Sequence, residues 1–309
     1  MMTIRKITII VLIFTTMVSC EKYEDYVEDY DFTIAYFNSQ KPLRTVVAYD
    51  EMQFKVGVAM GGKRYNTVEE TATFVIDPSL LDNEVLDGAG AFKLLPEAYY
   101  SLSNGNTMTF PEGRYIGDVT VTLNREEFIT DSLSTSNTYA LPVRITETSL
   151  DSIASGSFDD QGNQVTAPKN YAIVVIKYIS RYQGTYYHTG NQLETTSDGQ
   201  TNEVVYDHPD LVKNGTWNLS TINANTVETS GMGNFNDAGL ILHIDEGNTV
   251  DLSTVSSEVT NFSGSGTYDP EDRSLSLEYS FTRGDSDYTV TEVLYLRRPP
   301  EEDLVFEEW

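Results

Sequence analysis

The sequence predicts an all-β protein: an N-terminal immunoglobulin-like sandwich followed by a C-terminal antiparallel β-barrel or sandwich. Three observations carry this. Period-two alternation recurs along the chain, as in Val119, Val121 and Leu123 set against Thr120 and Thr122. The same pattern runs through Leu275, Leu277, Tyr279 and Phe281, set against Ser274, Ser276, Glu278 and Ser280. Helical periodicity is missing from every window of about eleven residues, and only Ser79 to Leu86, after Pro78, offers a short helical turn. The chain is also rich in aromatic residues, with 20 Tyr and 13 Phe among 309, and these fit half-buried pleated surfaces.

The elements follow in chain order. Residues 1–19 read as a signal peptide: Arg5 and Lys6 precede the mostly apolar stretch Ile7–Met17, which is too short to span a bilayer. Ser19-Cys20 resembles the lipobox of bacterial lipoproteins, which makes Cys20, the only cysteine, the expected lipid anchor. Residues 20–31 form an acidic tether without core periodicity. Its acids resemble the surface-export signal of Bacteroidetes lipoproteins, which implies an outer-membrane protein facing the cell exterior.

Residues 32–179 are the sandwich, with strands expected at Phe32–Phe37, Met52–Ala59, Ala72–Ile76, Met108–Phe110, Asp118–Leu123, Tyr139–Thr146 and Tyr171–Tyr178. Ala172 to Ile176 is apolar on both faces and reads as a central strand. Residues 180–298 continue as hairpins, with strands at Thr185–Thr189, Glu203–Tyr206, Gly239–Asp245, Thr249–Val255, Gly264–Tyr268, Ser274–Thr282 and Tyr288–Arg297. Tyr288 and Val290 fall out of phase with Val293 and Tyr295, which predicts a bulge near Glu292. Residues 299–309 form an acidic tail, whose final Trp309 is expected to fray or to dock on the barrel.

Charge and composition exclude several functions. With 20 Lys+Arg against 47 Asp+Glu, the net charge of −27 disfavours nucleic acid, anionic glycans and anionic membrane surfaces. Three His with no ligand spacing and one Cys give no metal site and no cofactor site. Asp159-Asp160-Gln161-Gly162-Asn163 has calcium-type oxygens without the spacing of a calcium loop and reads as a plain turn. Asp285, Asp287 and Glu292 read as solvated hairpin charges, so the chain is expected not to be an enzyme.

Several short motifs add a resemblance. Leu94-Leu95-Pro96, Tyr99-Tyr100-Ser101-Leu102 and Tyr139-Ala140-Leu141-Pro142 resemble an N-terminal domain of Bacteroidetes surface lipoproteins. That domain also precedes family-18 endoglycosidase domains. Tyr182-Gln183-Gly184-Thr185-Tyr186, with Gly190, resembles the C-terminal domain that accompanies it. The resemblance implies a glycan-binding or adhesin-like lipoprotein of Sus-type polysaccharide-utilisation loci, with a SusC/SusD-type transporter as partner. Read from the residues, Pro96 and Pro142 should break or redirect edge strands, and the motif tyrosines should sit at the sandwich rim with bonded hydroxyls.

A neutral glycan is recognised by aromatic faces and planar polar groups. The candidates are Trp217 with Asn218, in a polar turn entering a strand, and Tyr186 with Tyr187. Alternation sends Tyr186 and His188 to one face and Tyr187 to the other, so one set belongs to the core. Trp217 has the same competing reading as a core or rim residue. Asp131-Ser132-Leu133 and Asp151-Ser152-Ile153 resemble acceptors of Bacteroidetes O-glycosylation at Ser132 and Ser152. The expected function is oligosaccharide capture for an importer; the alternative is an adhesin or structural accessory that binds protein or host surface. Replacing Cys20 with Ser is expected to release the protein from the membrane fraction, and retention of that variant in sedimented membranes would refute the anchor.

Overall fold

A computed structural model describes residue 30, residues 32–86 and residues 90–309. The signal peptide, Cys20 and, apart from Tyr30, the acidic tether lie outside the described residues. The strands of the first domain are β1 (Ile34–Tyr36), β2 (Pro42–Val47), β3 (Gln53–Gly61), β4 (Glu70–Ile76), β5 (Lys93–Leu94) and β6 (Tyr100–Phe110). They continue with β7 (Ile116–Leu123), β8 (Tyr139–Thr148), β9 (Ser152–Ile153), β10 (Ser157–Phe158), β11 (Gln164–Thr166) and β12 (Tyr171–Ile179). The second domain holds β13 (Gly184–Thr196), β14 (Thr201–Val205), β15 (Gly215–Asn223), β16 (Thr226–Thr229), β17 (Ile241–Ile244), β18 (Thr249–Ser253), β19 (Thr260–Asp269), β20 (Ser274–Arg283) and β21 (Ser286–Leu296). A last short strand, β22 (Glu307–Glu308), returns to the first domain.

The first domain is a sandwich. Its strands follow the order β22-β2-β12-β8-β4-β6-β7-β3-β1-β9. Phe74, Val143, Ile145, Val174 and Ile176 pack in one core with Phe54, Val56, Val58, Val119 and Val121. Strand β12 is central, parallel to β2 and antiparallel to β8, as its two-sided apolar pattern requires. Its second face, Ile173 and Val175, is covered by Leu80 and Leu86 from the short helical turns after Asp77. A helix, α1 (Arg125–Thr130), buries Phe128 against this core and escaped the sequence reading because six residues cannot show a period.

Pro142 corrects the edge-strand expectation. Strand β8 is central, and its neighbour changes from β4 at Val143 to β5 at Ala140. The Pro142 carbonyl accepts from Asp77 N at 3.0 Å, so the missing N–H faces the gap between those two partners. Two of the three motif tyrosines of the sandwich have the expected bonded hydroxyls, although Tyr139 is a core residue. The hydroxyls of Tyr99 (3.1 Å) and Tyr139 both donate to the Asp131 carboxylate. That contact pushes the Tyr139 phenol up to about 12 and holds Asp131 below the usual carboxylate range.

The second domain is a closed eight-stranded barrel. β13 pairs with β15 over Gly184–His188 and with β21 from Tyr186↔Leu296 to Thr196↔Ser286, which closes the sheet, while β14 extends it beside the end of β13. An eight-stranded barrel is just wide enough for side chains to fill it. Here Leu219, Val227, Leu242, Ile244, Val250, Leu277 and Val290 do so. β15 and β16 were missing from the expected strands because polar residues occupy their outward positions and β16 is only four residues long.

Trp309 docks on the sandwich, not on the barrel. Its backbone N–H reaches Lys41 O at 3.0 Å and its indole N–H reaches Ile173 O at 2.7 Å, with Phe92 packed edge-on. The tail thus runs from the barrel back to the first domain. On the way Glu301 accepts from the Tyr49 hydroxyl at 2.6 Å and lies 3.7 Å from Arg273 of the barrel. Trp309→Ala is expected to cost about 2 kcal/mol of stability, from lost apolar burial and one lost hydrogen bond. An unchanged urea midpoint would show that the tail contributes nothing.

Candidate functional site

The interior of the barrel holds one polar cluster. The Glu292 carboxyl is 2% exposed and meets His188 Nε2 at 2.6 Å on one oxygen and the Tyr279 hydroxyl at 2.8 Å on the other. The Tyr206 hydroxyl lies 3.4 Å from the same carboxyl, and Tyr279 in turn accepts from Gly233 N at 2.7 Å. Burial first, and then the neighbouring Glu292, holds the Tyr279 phenol well above its ordinary value. The His188 ring packs between Tyr206 and Trp217, at centroid distances of 4.3 and 4.9 Å. Opposite Glu292 in the ladder stands Gly190, where a Cβ would come within 2.2 Å of Thr291 O. That position needs glycine.

The bulge expected near Glu292 is therefore absent. β21 runs in unbroken register against both β13 and β20, with Tyr288, Val290, Glu292 and Leu294 pointing inward. Alternation alone counted Glu292 as solvated. The structure pairs it inside instead, and that reverses the faces assigned to Val293 and Tyr295.

The loop between β16 and β17 plugs this end of the barrel. Met232 is fully buried, Gly231 lies flush on the Trp217 ring, and Asn234 N donates to Gln192 Oε1 at 2.9 Å. Phe235 packs against Phe281 and Tyr288. Trp217 is thus a wall of the interior, 9% exposed. Tyr186 is wholly buried, with its hydroxyl donating to Tyr182 O at 2.9 Å. Of the four glycan candidates, these two are core residues, as alternation allowed.

The other two, Tyr187 and Asn218, are on the outer face. Tyr187 stands directly beside Tyr295 of β21, with Thr216 on its other side. Asn218 accepts from Thr185 Oγ1 at 2.9 Å on the same surface. The next row across the barrel is Thr189, Val293, Ser276, Thr267 and Thr249. The row after it is Asn191, Thr291, Glu278, Ser265 and Asp251. A shallow groove of about 430 Å³ lies over these rows, lined by Ser265, Thr267, Ser276, Glu278, Thr291 and Val293. An aromatic pair beside ranks of hydroxyls suits the alternating C–H and O–H faces of a sugar. Tyr295 was missed by sequence reading because its phase follows from Glu292 pointing inward.

The remaining candidates are placed as follows. Ser132 and Ser152 are exposed, and the preceding aspartates are engaged structurally, Asp131 with Leu133 N and Asp151 with Thr33 N. The Asp159 carboxylate is taken up by Gln161 N, Asn163 N and the Asn163 side chain of its own turn. Among the described residues no helix is long and apolar enough to cross a membrane.

Two family models match the chain, one for an N-terminal domain over residues 27–152 and one for its companion C-terminal domain over residues 170–295. The chain belongs to this two-domain family. The matches contain the Leu94–Pro96 and Tyr139–Pro142 motifs of the sandwich and the Tyr182–Tyr186 opening of the barrel. Among solved structures, a Bacteroides ovatus protein of unknown function is 21% identical, with a TM-score of 0.73 over 87% of this chain and 95% of its own, and so shares the fold. An auxiliary nutrient binding protein from Bacteroides thetaiotaomicron VPI-5482 is 15% identical over 93% of this chain and 100% of its own, with a TM-score of 0.39. EndoBT-3987 from Bacteroides thetaiotaomicron, solved with a Man5GlcNAc product, is 17% identical over 44% of this chain and 28% of its own, with a TM-score of 0.30. No curated protein matches the chain.

Glu292→Ala is expected to cost about 3–5 kcal/mol, because it strands the buried His188 and Tyr279 groups without an acceptor. Glu292→Gln keeps an acceptor and should cost less. Equal urea midpoints for the two variants would mean that the cluster is not held as described.

Proposed function

We propose that this is a non-enzymatic, surface-exposed outer-membrane lipoprotein, anchored through Cys20, that captures neutral oligosaccharide on the outer face of its barrel. It hands the captured glycan to a SusC/SusD-type importer, and the sandwich holds the barrel away from the membrane. The observation that carries this reading is the outward pair Tyr187 and Tyr295, continuous with rows of Thr and Ser and with the groove over β19, β20 and β21. Tyr187 and Tyr295 would lie against sugar rings. Asn218, Thr291 and Ser276 would exchange hydrogen bonds with hydroxyls.

Charge supports a neutral ligand. A net charge of −27, with Glu278 and Asp251 on the platform itself, opposes uronate- or sulfate-rich chains. The groove also favours binding over hydrolysis. Glycoside hydrolysis needs two carboxyl groups about 5–9.5 Å apart on one substrate face. Of the acids that line the groove, Glu278 points outward and Glu292 points to the opposite side of the sheet, while Asp251, the other outward acid of that row, lies two strands from Glu278 and outside the groove lining.

The test is retention of the detergent-solubilised full chain on a panel of immobilised neutral polysaccharides. Tyr187→Ala combined with Tyr295→Ala should abolish retention at an unchanged melting temperature, since both side chains lie outside the barrel core. Trp217→Ala is unsuited to this purpose, because it opens a cavity in the interior. Undiminished retention of the double variant, or no retention of the parent chain, would overturn the reading.

A further inference from the structure

A second concave site lies where the two domains meet. It is a cleft of about 340 Å³. That is at the small end of the range of about 300–1,000 Å³ typical of small-molecule sites. The sandwich contributes Asp50, from the loop after β2, and Arg125, the first residue of α1. The junction contributes Arg181 and Tyr182. The barrel contributes Asn225, from the β15–β16 turn, and Asp245, Glu246 and Asn248, from the β17–β18 turn.

The cleft is built, and its donors are not used up by the protein. The two barrel turns are tied together by Ile244 N donating to Asn225 O at 2.9 Å. The second turn is fixed by Asp245 Oδ1 accepting from Thr249 N at 2.8 Å, with Asn248 in the left-handed region at φ 64°. Tyr182 is 5% exposed and locked edge-on against Tyr268. Arg125 spends its Nε on Tyr49 O at 3.1 Å, which leaves its terminal nitrogens toward the cleft without an acceptor among the described residues. Arg181 Nε is buried and has no hydrogen-bond partner, and no carboxylate among the described residues comes within ion-pair distance of that guanidinium. That Nε is sealed off by the protein, whereas the terminal nitrogens of the half-buried guanidinium, which lies 5.9 Å from the Tyr182 ring, have no acceptor among the described residues and can donate to a ligand in the cleft.

The lining decides the chemistry of that partner. Two guanidiniums and two amides offer donors, while three carboxylates beside them offer acceptors. A phosphate or carboxylate would be opposed by Asp50, Asp245 and Glu246. An ammonium or metal ion would be opposed by Arg125 and Arg181. A neutral polyol satisfies both sets, because each hydroxyl donates and accepts. We infer that the interdomain cleft binds one terminal unit or a disaccharide of a neutral glycan, with Arg181 and Asn225 as hydrogen-bond donors to its hydroxyls. The inference rests on the glycan reading for the class of ligand. It adds to that reading a chain-end site, distinct from the outer platform and made by both domains.

Isothermal titration of the detergent-solubilised full chain tests it, with neutral hexoses, N-acetylhexosamines and their disaccharides as ligands and with glucuronate and inorganic phosphate as anionic controls. At least one neutral sugar should bind saturably. Arg181→Met and Asn225→Ala should each weaken that binding about tenfold or more, the loss expected for a hydrogen bond from a charged or amide donor. Neither side chain makes a hydrogen bond among the described residues, and Arg181→Met gives up only the contact of its guanidinium with the Tyr182 ring at 5.9 Å, so both variants should fold, and an unchanged melting temperature checks this. No saturable sugar binding, binding that both variants leave intact, or tighter binding of glucuronate or phosphate would each overturn the inference. Tyr187→Ala with Tyr295→Ala should leave the titration unchanged. Loss of polysaccharide retention alone therefore reports on the platform, and loss of small-sugar binding alone reports on the cleft.

Discussion

A carboxyl group inside a small barrel must be matched by partners, because the interior has no room for the water that would otherwise solvate it. Glu292 meets that condition through His188, Tyr279 and Tyr206. Much follows from it. Gly190 must lack a side chain so that β13 can approach β21 at that level. Tyr279 is oriented to hold Gly233, and Gly233 anchors the loop that closes the barrel mouth. The phase of β21 is fixed, and with it the outward direction of Thr291, Val293 and Tyr295. The candidate glycan face is thus the reverse side of a buried polar cluster.

The sequence was informative wherever chemistry and periodicity agreed. β7 and β20 could be read directly, since their apolar residues take the inward positions and their Thr and Ser residues mostly take the others, and β12 from its apolar residues on both faces. It misled where a polar residue faced in. Glu292 looked like solvent-facing charge, so the strand seemed to need a bulge to restore the pattern. Nothing local in the sequence marks its partners, which are supplied by strands up to 104 residues away. The same limit explains Trp309. Eleven residues of acidic tail suggest a free end, yet the indole finds an acceptor on β12 of the first domain. Half of the proposed site was legible: Tyr187 and Asn218 were named, and Tyr295 was hidden by the wrong phase.

The two domains are joined by more than a linker. Ser180 at the junction donates to Ala224 O at 2.8 Å, and its N–H reaches Thr221 Oγ1 at 2.8 Å, so the barrel's β15–β16 turn sits against the end of β12. Ala224 belongs to the core of the sandwich itself. On the other side, the tail crosses back through Glu301 and ends in the Trp309 dock. Covalent junction, turn and tail together hold the domain pair at three places. A cleft between rigidly joined domains keeps its width, so its unpaired donors are preorganised rather than collapsed onto each other.

That preorganisation bears on how capture and release can be balanced. An open platform of two tyrosines and scattered hydroxyls offers many weakly held registers to a long chain. The proposed cleft site takes a chain end, and its half-buried arginine has part of its surface removed from water before any ligand arrives. Delivery to a transporter, as proposed, would gain from this division. The platform raises the local concentration of glycan, and end recognition selects the chains that present a terminus. Neither site needs great affinity alone. Both depend on the barrel keeping its phase, and so on the one carboxyl buried within it.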